Sequence, residues 1–377
     1  MQFFYVLIVK EVYLCHRINH KKRKMKKNLR NILVLAMGLM TTVSFAQDWN
    51  VDSRTRIDMS GDNDKMVTNQ RATLGATWGG TDWGIHMSSD LNYMLSNQAT
   101  TGELTMNIYE AYASTDVMGY ANVTMGRQAL NYGSGALISS NDWGTNRTTW
   151  DGFKIGLDLD MADVTVGYAS NNMGGADSNG VADGSNGNMY LNAGGEFSGW
   201  DVNLVYMTTT TDGESGENAA TGIDISGEVM GAGISASMNS DFNANDMRVI
   251  GLTYAINDDM GVHASQTVYG EDADFHMAGT NMDGSWDATG NMGYLSAGDE
   301  MLSYGLTYNM AGISLGATMH AVTNSLEGNE EYDRAATEIS LGYSLNDNAG
   351  LSLSMVNDNN GTDTDTKYMW VTLNVGL

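Results

Sequence analysis

Trp83-Gly-Ile85-His-Met87-Ser-Ser89-Asp-Leu91-Asn-Tyr93 alternates apolar residues with small or polar ones, and so does the closing Met369-Trp-Val371-Thr-Leu373-Asn-Val375-Gly-Leu377. A period of two places one face of an extended segment in an apolar environment and the other in a wet one. The pattern recurs in short segments from Trp49 to Leu377, with no proline anywhere in the chain. Proline cannot donate to a ladder, so its absence suits a protein made almost wholly of strands. After the N-terminal region no apolar run approaches the roughly 18–20 residues of a spanning helix. The reading is all-β: an antiparallel up-and-down transmembrane barrel, apolar outside and polar inside.

The N-terminus reads as a removable leader. Met25-Lys-Lys-Asn-Leu-Arg30 is a basic segment, Ile32 to Met40 is apolar, and Ser44-Phe45-Ala46 offers small residues for cleavage before Gln47. Residues 1–24 read as an upstream extension, or else as a long basic segment of the same signal. The expected division is therefore 1–46, extension and cleaved signal peptide, and 47–377, one outer-membrane barrel. Nine of the 19 basic residues and one of the 45 acids lie in 1–46, which leaves 10 against 44 and a net charge of −34. That balance excludes ordinary nucleic-acid binding, which needs a basic footprint. The single cysteine, Cys15, falls in the leader, so disulfide and thiolate chemistry are absent from 47–377.

Nine longer polar connections, at 61–66, 96–103, 129–147, 171–187, 209–221, 240–246, 270–300, 322–332 and 357–366, alternate with eight tight turns such as Ser198-Gly199 and Met310-Ala-Gly312. Outer-membrane barrels have long external loops and short periplasmic turns. Nine loops and eight turns join about 18 strands of roughly ten residues, the length that crosses the hydrocarbon at a tilt. Sixteen remains the other count, and 270–300 has room for a further hairpin around Asn291 to Ser296. Parity directs Leu74, Ala76 and Trp78, Ile85 and Met87, Phe153, Ile155 and Leu157, Val164, Val166 and Tyr168, Ile313 to Met319, and Ile339 to Tyr343 toward lipid. Tyr and Trp near the turns, Trp83, Tyr120, Tyr254, Tyr304, Tyr368 and Trp370 among them, are expected to form interfacial girdles.

The same parity places the few basic residues. Arg54, Arg56, Arg71 and Lys154 are expected inside, with Arg127 closing the fifth strand and Arg147 in the third loop. With Asp142 and Trp143 they form the candidate pore and constriction set. Asp224, Glu228 and Glu338 point inward from later strands, so a basic wall facing an acidic one would set a transverse field. The alternative is that Arg54 and Arg56 only pair with Asp52, Asp58 and Asp90.

Gly126-Arg127-Gln128-Ala-Leu130-Asn-Tyr132-Gly133, then Leu137-Ile138, Asp142-Trp143, Arg147 and Trp150-Asp151-Gly152, resembles a signature of Gram-negative porins, most closely the alginate-export-like barrels. The resemblance covers about 30 residues. It implies that 129–147 is a loop that folds into the lumen and sets the constriction. The chain departs from the pattern at Ala136, where those relatives carry a basic residue, and at Ser134, where an acid is common. Ten basic residues are also a poor supply for exporting a polyanion.

Enzymatic readings find no converging set. His86, His263 and His320 each sit alone at the polar parity of a strand, as expected of solvated lumen residues, and His276 lies in the longest loop. Asp358-Asn-Asn360-Gly-Thr362-Asp363 and Asp241-Phe-Asn243-Ala-Asn245-Asp246 have spaced oxygens but lack the glycine and final glutamate of an EF-hand, so solvated loops are expected and calcium is the lesser alternative. Other cofactors are not expected. The methionines read as lipid-facing filler.

The sequence thus points to a cell outer-membrane porin for passive diffusion of small hydrophilic solutes and ions, and not to an enzyme. The alternatives are a saccharide-specific or alginate-type export channel, and a non-conducting structural or adhesive barrel. Expected partners are outer-membrane lipid, the solutes and, through the C-terminal strand, the barrel-assembly machinery; a homo-oligomer is left open.

Overall fold

The computed structural model describes residues 46–61, 66–95, 104–170, 187–211, 214–329, 332–362 and 364–376. The expected leader lies outside them apart from Ala46, as do loop residues 96–103, most of the fourth loop, and Leu377. Eighteen strands run in chain order: β1 Ala46–Asp58, β2 Val67–Gly79, β3 Trp83–Met94, β4 Thr105–Val117, β5 Ala121–Gln128 and β6 Trp150–Leu159. They continue with β7 Ala162–Ser170, β8 Gly187–Phe197, β9 Trp200–Thr211, β10 Glu214–Val229, β11 Ala232–Ser240 and β12 Asp246–Ala255. The last six are β13 Met260–Tyr269, β14 Asp299–Met310, β15 Ile313–Asn324, β16 Asp333–Asn346, β17 Ala349–Asp358 and β18 Thr366–Gly376. Each pairs antiparallel with the next, and β1 pairs with β18 from Asp52↔Gly376 to Asp58↔Trp370. The sheet is closed, so it has no edge whose backbone would be left unpaired in lipid.

Short turns join the strands at one end and longer connections at the other. Three turns are two-residue hairpins with both φ angles positive: Ser198-Gly199 (55° and 83°), Met230-Gly231 (54° and 80°) and Ala311-Gly312 (51° and 81°). Positive φ at both central positions is the type I′ geometry, whose twist matches that of the flanking strands.

The outer face carries exposed Leu74, Ile85, Met87, Phe153, Val166, Leu315, Met319, Ile339 and Tyr343, in the parity the sequence indicates; Ala76, on the same face, is covered. Exposure of so much apolar surface is stable where the surroundings are lipid. Trp83, Tyr120, Tyr254 and Tyr304 are exposed as girdle residues would be. Tyr368 and Trp370 are not among them. On β18 they alternate with Met369 and Val371 and so face inward, stacked at 5.7 Å, with Trp370 2 % exposed.

Two connections depart from expectation. The fifth, expected at 209–221, is nearly all ladder: Thr208 to Thr211 pair with Ala219 to Glu214 through a bulge between Ser215 and Ala219. A run of β-branched threonines favours the extended state over the loop that its polarity suggests. The seventh, residues 270–298, holds a single helical turn, α1 Trp286–Thr289, and the described residues contain no added hairpin there.

Candidate functional site

The third loop, residues 129–149, carries apolar residues within a polar connection. Leu130, Ala136, Leu137 and Ile138 are each 3 % exposed or less, so they are inside the barrel and not in external water. Tyr132 and Ile138 form a bridge that closes a small loop through Gly133 and Gly135, both at positive φ. A Cβ at Gly133 would collide with the Asp224 carboxylate, so this close approach to the wall requires glycine.

One end of the loop is held by three arginines. Arg54 donates to the carbonyls of Asp142 (2.7 Å) and Gly144 (3.1 Å), Arg56 to that of Trp143 (3.0 Å), and Arg71 to those of Asp142 and Gly144 (both 3.0 Å). The Arg56 guanidinium lies over the Trp143 ring at 3.6 Å, and Trp143 meets Trp370 edge-on at 5.1 Å. Arg147 grips Asp90 through two bonds of 2.5 and 3.0 Å, donates to Thr73 at 3.1 Å, and lies over the Tyr109 ring. Burial acts against the Arg147 cation, but the bonds and charge of Asp90 more than offset it and hold its pKa above the ordinary guanidinium value. Asp142 Oδ1 meets Arg71 at 3.3 Å and Arg147 at 3.2 Å.

The other end reaches the far wall. The Ser134 N–H donates to Asp224 Oδ2 of β10 at 3.0 Å, and Ser237 of β11 bonds Ser134 at 3.2 Å. Strands β2 and β11 stand nine places apart in a ring of 18, diametrically opposite, so the loop crosses the lumen.

The seventh loop meets it there. Phe275 and Trp286 are 1 % and 2 % exposed, and the Trp286 indole donates to Asp358 at 2.8 Å. Asp358 is fully buried and is held by Arg334 at 3.0 and 2.6 Å. Asn141 donates to the Ala288 carbonyl (2.8 Å), Trp143 to that of Asp287 (3.1 Å), and Tyr294 to that of Ala136 (2.7 Å).

The barrel superposes on several solved proteins. OpdK of Pseudomonas aeruginosa, an outer-membrane protein, superposes with a TM-score of 0.67 at 12 % identity, over 89 % of this chain and 100 % of that one. OccAB2 of Acinetobacter baumannii gives 0.68 at 13 % identity over 89 % and 99 %, and OccD3 of P. aeruginosa gives 0.62 at 12 % identity over 89 % and 92 %. The fold is that of solved outer-membrane barrel proteins. No protein-family model matches the chain, and no curated protein sequence matches it.

Within this barrel the expected pore residues divide. Arg54, Arg56, Arg71, Asp142, Trp143 and Arg147 come together. Lys154 faces inward on β6, opposite in parity to the exposed Phe153 and Ile155, and stands apart from that cluster. Arg127 does not face the barrel interior. It shares a face with the exposed Met125, two residues earlier, and through the pairings Met87↔Ala111 and Ala111↔Arg127 with the outer surface. There Asp151 neutralises it in a two-pronged pair, 2.7 Å at each prong. Asp142 accordingly pairs with Arg147 and Arg71 and not with Arg127, and Leu137 packs by Gly222 of β10, far from Arg127 and Lys154.

The charged walls are opposed only in part. Arg54 and Arg56 on β1 stand nine strands from Asp224 and Glu228 on β10, but Glu338 on β16 is only three strands from β1. The strand histidines are held by neighbouring hydroxyls: His86 by Thr77 (2.8 Å), His263 by Thr318 (3.2 Å) and His320 by Ser303 (2.8 Å). Among the described residues no group of three or more His, Cys, Asp or Glu is placed to hold a metal ion.

The role of the seventh loop escaped the sequence reading. Its signal was present in Phe275, Met277, Trp286, Met292 and Leu295, buried apolar residues in the longest polar connection. Below the two loops a cavity of about 720 Å³ runs along the inner face of β7 to β14, from Tyr269, Met282 and Met301 at the loop end to Asp163, Glu196 and Asp201 at the turn end.

Proposed function

We propose that this chain is a Gram-negative outer-membrane channel through which small hydrophilic solutes and ions diffuse passively, narrowed where the third and seventh loops meet. The observation that carries the reading is the third loop bonded at once to β2 and to β11, across the full width of the barrel. A loop so placed narrows any aqueous route, while the cavity beneath it leaves room for a solute. One of the similar structures is OpdK with vanillate, a small organic anion in a barrel of the same fold. The proposal includes export by a signal peptide within 1–46, residence in outer-membrane lipid, and insertion through the C-terminal strand.

The resemblance of 126–152 to alginate-export-like barrels would make the solute a polyuronate. Among the inward basic residues, however, Arg71 and Arg147 are 6 % and 8 % exposed and bonded to the loop or to Asp90, which leaves little positive surface for a polyanion. A second reading, a barrel plugged by its own loops, draws support from the bulky buried residues at the loop end, Phe275, Trp286, Leu137, Ile138, Met247 and Trp370.

Conductance of the purified chain in planar bilayers separates the two. Stepwise ohmic increments in potassium chloride support the channel, and insertion without current supports the plug.

A further inference from the structure

A groove of about 510 Å³ lies on the outer surface of the barrel, across β8 to β12 near their loop ends. Leu204 and Tyr206 of β9 wall it on one side, Met238 of β11 and Arg248 of β12 on the other, and all four are exposed. Between these walls the register sets only small side chains, Thr221 opposite Tyr206 and Ser240 opposite Thr221. Neighbouring strands stand about 4.8 Å apart, so two small residues side by side leave an open trough in a surface of large apolar side chains. On a lipid-facing surface such a trough takes hydrocarbon chains.

Arg248 says which lipid. It heads the outward column of β12, above Ile250, Leu252 and Tyr254, which are exposed. Tyr254 stands near the turn end and Tyr206 near the loop end, as the aromatic belts at the two headgroup levels do. The Arg248 stem therefore lies against the apolar band while its guanidinium reaches the loop-end headgroups. Its carboxylate neighbour Asp246 is 4.0 Å away, half exposed, and the one carboxylate among the described residues lining the groove. Glu300, outward in the same row two strands on, receives Gln266 at 3.2 Å. Arg127 is outward too, but Asp151 closes it with two bonds of 2.7 Å. A guanidinium without so tight a partner keeps its donor fork for a phosphate. The placement of charge is an independent sign. Among the described residues the outward basic side chains are Arg127, Arg248 and Lys367, and each lies within three residues of the loop end of its strand, with none at the turn end. Cations so placed on a chain this acidic match an anionic headgroup layer at that end.

We infer that the groove is a binding site for an anionic lipid, one acyl chain lying over Thr221 and Ser240 and the phosphate of the headgroup bound by Arg248. The inference rests on the residence in lipid proposed above and not on conduction.

Native mass spectrometry of the folded full chain in a neutral detergent tests it, with phosphatidic acid and phosphatidylcholine carrying the same oleoyl chains as probes. Phosphatidic acid should be held at least about tenfold more tightly, the scale of a charge-assisted hydrogen bond. Inorganic phosphate at equal concentration should not displace it, because the chain supplies part of the binding. Arg248→Gln should remove the preference, and Lys367→Gln, outside the groove, should keep it. Thr221→Trp fills the trough and should weaken retention of phosphatidic acid about fivefold or more. All three positions face lipid, and heat-modifiable gel mobility checks that each variant folds. Equal retention of the two lipids overturns the inference, as does an unchanged preference in Arg248→Gln, unchanged retention in Thr221→Trp, or displacement by inorganic phosphate, which would make the groove a site for free anions. If a variant does not fold, the ranking and the competition on the wild-type chain still decide. Current in bilayers without any lipid preference would end the inference and leave the channel, whereas the preference without current would do the reverse.

Discussion

The Trp286 indole N–H lies 2.8 Å from Asp358 Oδ2, both residues are buried, and α1 is thereby fixed to the inner wall between β15 and β18. The third loop in turn bonds the Asp287 and Ala288 carbonyls of α1. The position of the third loop therefore depends on an attachment at β17, six strands round the barrel from its β11 contact.

Replacing Trp286 should reveal that dependence. Trp286→Phe keeps an aromatic ring but removes the donor and part of the indole volume; the lost hydrogen bond costs about 0.5–1.5 kcal/mol, since Asp358 retains Arg334, and the cavity left is smaller than that left by alanine. Trp286→Ala empties the site, for a cost of about 3–5 kcal/mol if the surroundings do not collapse. Only the alanine variant should free both loops, so single-channel recordings should show larger and noisier current for Trp286→Ala and near-normal current for Trp286→Phe.

Arg147→Ala should be the most damaging single change in the third loop. Asp90 is 4 % exposed in its side chain, and Arg147 supplies two of its hydrogen bonds. Removing one partner of a buried pair leaves an uncompensated charge, for a cost of about 3–5 kcal/mol. The temperature at which the barrel loses its folded gel mobility should fall, and adding Asp90→Asn should restore much of it.

Much of this was legible beforehand because a strand's period of two ties every side chain to one of two faces. Arg71 follows from Leu74 and Lys154 from Ile155; the inward face of Trp370 follows in the same way from Met369 and Val371, but the expectation of an aromatic girdle set it at the interface instead. Arg127 shows the same rule from the other side: Met125, two residues earlier, marks its face as outer, a relation hidden by the expectation that charge belongs in the lumen. Loops have no such period. Burial of Phe275 and Trp286, and the pairing of Trp286 with Asp358 across 72 residues, arise from packing inside the closed barrel, and no local pattern encodes them.

Selectivity in simple salt should favour cations. Arg54, Arg56 and Arg71 are spent on the third loop, and the lower cavity presents Asp163, Glu196, Asp201 and Asp224, with no basic residue among the described residues that line it. Charged rings at a constriction set the sign of the favoured ion, and the effect weakens as salt screens them. Reversal potentials in a potassium chloride gradient should have the cation-selective sign and shrink toward zero at high salt. Strong anion preference would mean that the arginines, not the carboxylates, face the permeating ion.

Deleting Ser134 to Thr145 should raise single-channel conductance well above that of the intact protein. The segment removes the Ser134 contact to Asp224 and the Asp142, Trp143 and Gly144 carbonyls that the three arginines hold, so nothing of the third loop would remain across the lumen. The strand ladder does not pass through these residues, since β5 ends at Gln128 and β6 begins at Trp150. The barrel should therefore stay closed, though Arg54, Arg56 and Arg71 would lose their acceptors and turn to water. Those freed cations should also weaken cation selectivity, a second readout in the same recording. Unchanged conductance with the barrel still folded would show that the current follows a route the third loop does not narrow.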